Sequence, residues 1–182
     1  MKLSLKIDVA GVEQLNHHLG ELITALHDFR EPLEMIGAMV AFSTAKNFID
    51  EGRPTKWKEL STTVPKGRKE SYATWKARKF PGRKILERTG ALRGSLQIDG
   101  AGNVFTVTNT QLTYGSDLSV GSWNLGLLHQ KLSDYTAEGM VVAQESGKGP
   151  PQRKIINLQR DEKNNIVQTL RKYLVKHGGL EP

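Results

Sequence analysis

Residues 85–96 (Ile-Leu-Glu-Arg-Thr-Gly-Ala-Leu-Arg-Gly-Ser-Leu) mark where the hydrophobic period of this chain changes. Before them, apolar residues step by three and four, which is helical spacing. After them, they step mainly by two, which is strand spacing. Helices first, then strands, then a last helix predicts an α+β fold: two N-terminal helices, a mostly antiparallel sheet of about four to five strands, and a C-terminal helix. The order is not the alternating βαβ of a doubly wound nucleotide fold.

The first helix follows Gly11, with Val12, Leu15, Leu19, Leu22, Leu26 and Phe29 on one face. The second starts near Glu31, with Pro32 at its first position. Its stripe is Leu33, Ile36, Val40, Thr44 and Phe48, and Gly52 caps its end. The short link predicts that the two helices pack as an antiparallel pair. A half-buried strand is expected at residues 3–9, ahead of both.

Downstream, Thr89-Gly90 reads as a turn into a strand at 92–98, with Leu92, Leu96 and Ile98 inward and Arg93 on the outward face. The turn at 99–103 stands at hairpin spacing before a strand at 104–108. Further strands are expected at 118–121 and 140–143, with a weaker one at 111–114. Residues 123–130 read as a short helix and 146–151 as a loop. A last helix is capped by Asp161, carries Ile166, Leu170, Tyr173 and Leu174, and stops at Gly178-Gly179. A chain of 182 residues fits one domain, 1–182, with a long basic loop or arm at about 53–84.

Charge is concentrated in that arm. Residues 53–93 hold 13 of the 26 Lys and Arg but 3 of the 19 acids, a local +10 in a chain of net +7. An acidic partner is implied. Trp57, Tyr72, Trp75 and Phe80 are interleaved with Lys66, Arg68, Lys69, Lys76, Arg78, Lys79, Arg83 and Lys84. Three readings stay open: phosphate neutralisation with base stacking, docking on an acidic protein surface, and a solvated loop anchored by its tryptophans.

Enzyme chemistry finds little support. The chain has no cysteine, so thiolate metal sites and disulfides are excluded. Its five histidines form no HExxH pair and meet no acid cluster. No Walker loop, GxSxG elbow or complete GxGxxG is present. No apolar run of 18 residues predicts a membrane span, and residues 1–10 alternate rather than forming a signal-peptide core. No cofactor is expected.

Three stretches occur in a telling order: residues 85–96 with Thr-Gly-x-Leu-Arg-x-Ser, residues 118–130 with Val-Gly and then His-Gln, and residues 150–158 with Pro-x-Arg. With the upstream Trp-x-x-Leu of Trp57 and Leu60, this arrangement resembles the phage virion morphogenesis (tail completion) family. Lys131-Leu132 and Lys154 depart from the family's usual Phe-Gly and proline. The resemblance implies a non-enzymatic structural protein of a tailed phage, acting where tail meets head, assembled in the host cytoplasm and retained in the virion neck. A homo-oligomeric ring, six-fold, is implied, in contact with other neck and tail proteins and with packaged DNA passing through. Structural or interface roles fall on Trp57, Leu60, Thr89, Gly90, Leu92, Arg93, Ser95, His129, Gln130 and Arg153, and the basic arm would line the channel or grip a neighbouring ring. The rival reading is a small basic nucleic-acid-binding protein.

Overall fold

The computed structural model describes residues 11–130 and 151–177. The strands expected at 3–9 and 140–143, the loop at 146–150 and the glycine stop at 178–179 lie outside them. The described chain is α+β. Helices α1 (Val12–His27), α2 (Arg30–Ile49), α3 (Tyr72–Lys79) and α4 (Ala91–Gly94) come first. Strands β1 (Asn103–Val107), β2 (Leu112–Ser116), β3 (Ser119–Val120) and β4 (Trp123–Asn124) follow, then α5 (Leu125–Gln130) and α6 (Arg160–His177).

Helix α2 is the element on which the others pack. Its buried face includes Ile36, Val40, Thr44 and Phe48, as the helical period requires, and also Ser43 and Asn47. The Gly52 N–H closes its C-terminus on the Asn47 carbonyl at 2.8 Å. Helix α6 lies against both α1 and α2, in the place expected for a direct pairing of those two. Tyr173 of α6 donates its hydroxyl to the Asp28 carbonyl at 2.6 Å and packs on the Phe29 ring. Of the face of α1 expected to be covered, Leu15, Leu19 and Leu26 are therefore 45–58% exposed; outside that face, Ile23 is 56% exposed and Ala25 is buried.

The strands form two separate antiparallel ribbons rather than one sheet. β1 pairs with β2 in the register Val104↔Gly115 and Phe105↔Tyr114. β3 and β4 pair over two residues each. The longer ribbon lies on α2, and its closest approach falls at Gly37, where any Cβ would collide with the Phe105 ring.

Residues 92–98 are not a strand. Gly90, at φ 88°, precedes the single turn α4, and the Gly94 and Ser95 N–H groups donate to the Gly90 and Ala91 carbonyls at 2.8 Å. Further turns carry the backbone to β1, so 99–103 is not a hairpin turn. The reason lies in the spacing. Leu92 and Leu96 are four apart, which suits a helical turn as well as a strand. Both are buried, while Ile98, which only the strand reading required, is 39% exposed. Helix α6 also starts differently from expectation. Gln159 precedes it and donates its N–H to Glu162 Oε2 at 2.8 Å, the reciprocal half of a capping box. Asp161 sits in the first turn instead, where its charge suits the helix dipole.

The apolar core gathers distant pieces: Phe48 from α2, Trp57 from the basic segment, Ile85, Leu92 and Leu96, and Ile155 from the chain's return. Trp57 meets the Phe48 ring edge-on at 5.4 Å and donates its indole N–H to the Lys154 carbonyl at 3.0 Å. Beside this core runs a polar network. Asn47, fully buried, donates to the Ile155 carbonyl at 2.8 Å and accepts from Arg53 Nε at 2.8 Å. Arg53 also donates to the Ser43 carbonyl at 2.8 Å and to Glu162 Oε1 at 2.9 Å.

Replacing Asn47 by Ala leaves a buried carbonyl and a buried guanidinium N–H without partners. The expected loss is about 2–3 kcal/mol of unfolding free energy. Urea denaturation with Phe42→Ala as a control, a residue 68% exposed, checks this. Equal midpoints for the two variants would contradict it.

Candidate functional site

The motif residues converge around one cleft, and each is placed there by its local chemistry. Gln130, at the end of α5, behaves like a piece of strand edge. Its Oε1 accepts from the Ile155 and Ile156 N–H groups at 2.6 and 2.7 Å, and its Nε2 donates to the Ile156 carbonyl at 2.7 Å. The His129 carbonyl accepts from the Arg153 N–H at 2.8 Å. The return segment is thereby stitched to α5 through His129 and Gln130. Arg153 then crosses to the start of the basic segment, where Nε and Nη2 donate to the Lys58 carbonyl at 3.0 and 2.8 Å.

On the other wall stands the turn before α4. Thr89 Oγ1 accepts from the Ala91 N–H at 3.3 Å, and Gly90 supplies the left-handed residue. Leu92 and Leu60 pack toward the core. Ser95, fully buried, bridges Leu92 and the Ser116 hydroxyl at 2.9 and 2.7 Å. Arg93 does not lie on a sheet face; it pairs with the buried Glu87 at 2.8 Å. The cleft has a volume of about 630 Å³ and is bordered by Leu60, Thr89, Gly90, Leu92, His129 and Arg153 among the expected residues. Trp57 lies beneath it in the core, and Arg93, Ser95 and Gln130 do not border it.

The basic segment is partly built into the body rather than standing off as an arm. Ser71 caps α3, accepting from the Thr74 N–H at 3.2 Å. Trp75 stacks on Tyr72 at 5.5 Å and meets Phe80 at 5.7 Å, so these rings pack on one another. Lys76 is 3% exposed and donates to the Lys84 carbonyl. Lys84 in turn donates to the Ile49 carbonyl, and Arg78 pairs with Glu70. Lys66, Arg68, Lys69, Lys79 and Arg83 are exposed. Of the eight expected partner-binding cations, Lys76 is a structural one.

Electrostatics in the cleft follow from burial. Desolvation pulls Lys76 below its ordinary value, opposed by Glu51 and Glu87 and assisted by Arg153. Desolvation likewise lowers Arg153. His129 is lowered to about 4, first by burial, then by the Arg153 charge, against the Pro151 carbonyl. No group of three His, Cys, Asp or Glu residues that could hold a metal occurs among the described residues. Sequence reasoning missed Arg88, which borders the cleft, took Tyr72 only as a ring for base stacking, and missed the Asn47–Arg53–Glu162 network. The one available signal was a polar Asn47 inside the apolar stripe of α2.

The shift at His129 makes stability depend on pH. Below pH 6.5 the unfolded chain takes up a proton that the folded chain refuses until about pH 4. The unfolded state binds more protons in that window, so stability is lost as pH falls through it. Glu70, held low by Arg78, and Glu162, held low by Ser43, Gln159 and Arg53 against its own desolvation, remain charged there. The melting temperature should fall between pH 6.5 and 5, and fall less in His129→Gln. Parallel profiles for the two proteins would refute this assignment.

Comparison with known proteins agrees with the order of the motifs. Neither the curated proteins nor the solved structures contain a match. Residues 10–175 do match a family, and they include every residue bordering the cleft. The chain belongs to the phage virion morphogenesis family.

Proposed function

We propose that this protein is a non-enzymatic structural subunit that completes the phage tail and joins it to the head at the neck. It would act as a homo-oligomer, with a six-fold ring as the expected form, among other neck and tail proteins. Assembly would take place in the host cytoplasm, and the product would remain in the virion. Membership of a virion morphogenesis family supports a place in particle assembly.

The observation that carries the assembly reading is apolar surface. Met35, Phe42 and Ile49 repeat at seven-residue spacing along α2 and are 50–68% exposed. On α1, Leu15, Leu19, Ile23 and Leu26 are exposed as well. Two files of large apolar side chains, one on α1 and one on α2, are surface of the kind that subunit contacts cover.

A second reading, a small basic nucleic-acid-binding protein, is favoured by Lys66, Arg68 and Lys69, which are exposed and form no ion pair among the described residues. Duplex DNA bound by the isolated protein with a steep salt dependence would favour it. In the leading reading these cations face packaged DNA or a neighbouring ring only inside the particle.

Electron microscopy of a lysate from phage carrying an early stop codon in this gene tests the leading reading. Filled heads and separate tails are expected, rejoined when purified protein is added. Phe42→Asp protein should be folded and fail to rejoin them. Normal particles from the stop-codon phage would overturn the proposal.

A further inference from the structure

The cleft is bordered by cations, and the acids that act on two of them, Glu51 and Glu87 on Lys76 and Glu59 on Arg153, stand outside its described walls. Lys76 and Arg153 are 3% and 4% exposed. Both border the cleft, and so does the exposed Arg88. Lys76 and Arg153 reach carbonyl oxygens only, and neither has a carboxylate within ion-pair distance among the described residues. No Asp or Glu is among the described residues that border the cleft. Much of the remaining wall is apolar, including Leu86, Leu125, Leu128 and Val120. Buried cations are ordinarily paired, because desolvation costs several kcal/mol per ion and carbonyl dipoles offset part of it. A site with apolar walls, basic groups and a volume of about 630 Å³ has the size and make-up of a ligand-binding cleft.

We propose that the cleft is the docking site for an extended segment of another virion protein, one that presents a carboxylate between apolar side chains. The proposal rests on the virion-assembly reading and deepens it by naming the chemistry of a partner. The carboxylate would enter the field of Arg88, Lys76 and Arg153, and the flanking apolar groups would cover Leu86, Leu125 and Leu128. Charge complementarity selects the occupant. Duplex DNA fits poorly, since its uniformly charged backbone has no apolar groups to set against Leu86, Leu125 and Leu128. A second copy of this chain fits poorly too. Its exposed apolar files lie on the helices α1 and α2 rather than on an extended segment.

The test uses purified full-length protein and fluorescein-labelled 15-residue peptides that tile the other head and tail proteins of the same phage, with peptides from this chain included. Fluorescence anisotropy should find a binder that combines an acid with apolar neighbours. Changing that acid to the amide should weaken it more than tenfold. Arg88→Glu and Val120→Asp, both at exposed positions that leave the core intact, should weaken it equally. Changing the peptide's acid to lysine should restore binding to Arg88→Glu. No binder, a binder indifferent to Arg88→Glu, displacement by a 30-base-pair duplex, or binding confined to this chain's own peptides would each overturn the proposal. The particle assay separates the two readings. If Arg88→Glu protein rejoins heads and tails as well as wild type while the stop-codon phage fails, the cleft proposal falls and the completion role stands.

Discussion

The Arg53 guanidinium is the interaction on which the arrangement depends. It stands just past the end of α2 and binds Asn47 and Ser43 of that helix and Glu162 of α6 at once. Asn47 passes the connection on to the Ile155 carbonyl. Two stretches of chain more than a hundred residues apart in sequence, 43–53 and 155–162, are thereby held at one point. Phe48, Trp57 and Ile155 can then close the apolar core beside it. Hydrophobic burial supplies the non-directional drive for this packing. The planar, forked guanidinium supplies direction, which Lys at this position would not.

How far the sequence foretold this depends on the range of the interactions. Helices α1, α2 and α6 were readable, because their periods and stops are local: Gly52, for one, ends α2. The β1–β2 ribbon was readable in part from alternation at Val104–Val107 and Leu112–Tyr114. Residues 92–98 were misread because four residues separate Leu92 from Leu96, and that interval serves both periods. What decided between them was the left-handed Gly90 and the fate of Ile98, and neither is visible in a pattern of polar and apolar letters. The pairing of α6 with both N-terminal helices was equally hidden, since short loops argue for neighbours in sequence.

The site shows the same division. Motif order picked out Leu60, Thr89, Gly90, Leu92, His129 and Arg153, and all of them border one cleft. Trp57, Gln130, Arg93 and Ser95 turned out to hold that cleft in place rather than to face it. Charge counting was less informative. It treated the basic segment as uniform, whereas burial sorts its cations into different roles. Lys76 sits inside, Lys84 and Arg78 are engaged with Ile49 and Glu70, and Lys66, Arg68 and Lys69 face solvent. Net charge speaks to partners, but only geometry says which charges remain available to them.

That sorting separates two kinds of surface on one small chain. The exposed files on α1 and α2 are broad and apolar, suited to contact with another rigid body. The cleft sets the desolvated charges of Lys76 and Arg153 among apolar side chains, suited to a carboxylate on a flexible segment. Desolvated charge is strong at short range and weakly screened by salt, so it discriminates between partners better than it attracts them from a distance. Exposed Lys66, Arg68 and Lys69 have the opposite character, since solvent-facing charge acts over about a Debye length and weakens with salt. A subunit of the kind proposed above would have use for both: apolar surface that holds, and a charged cleft that checks what is held.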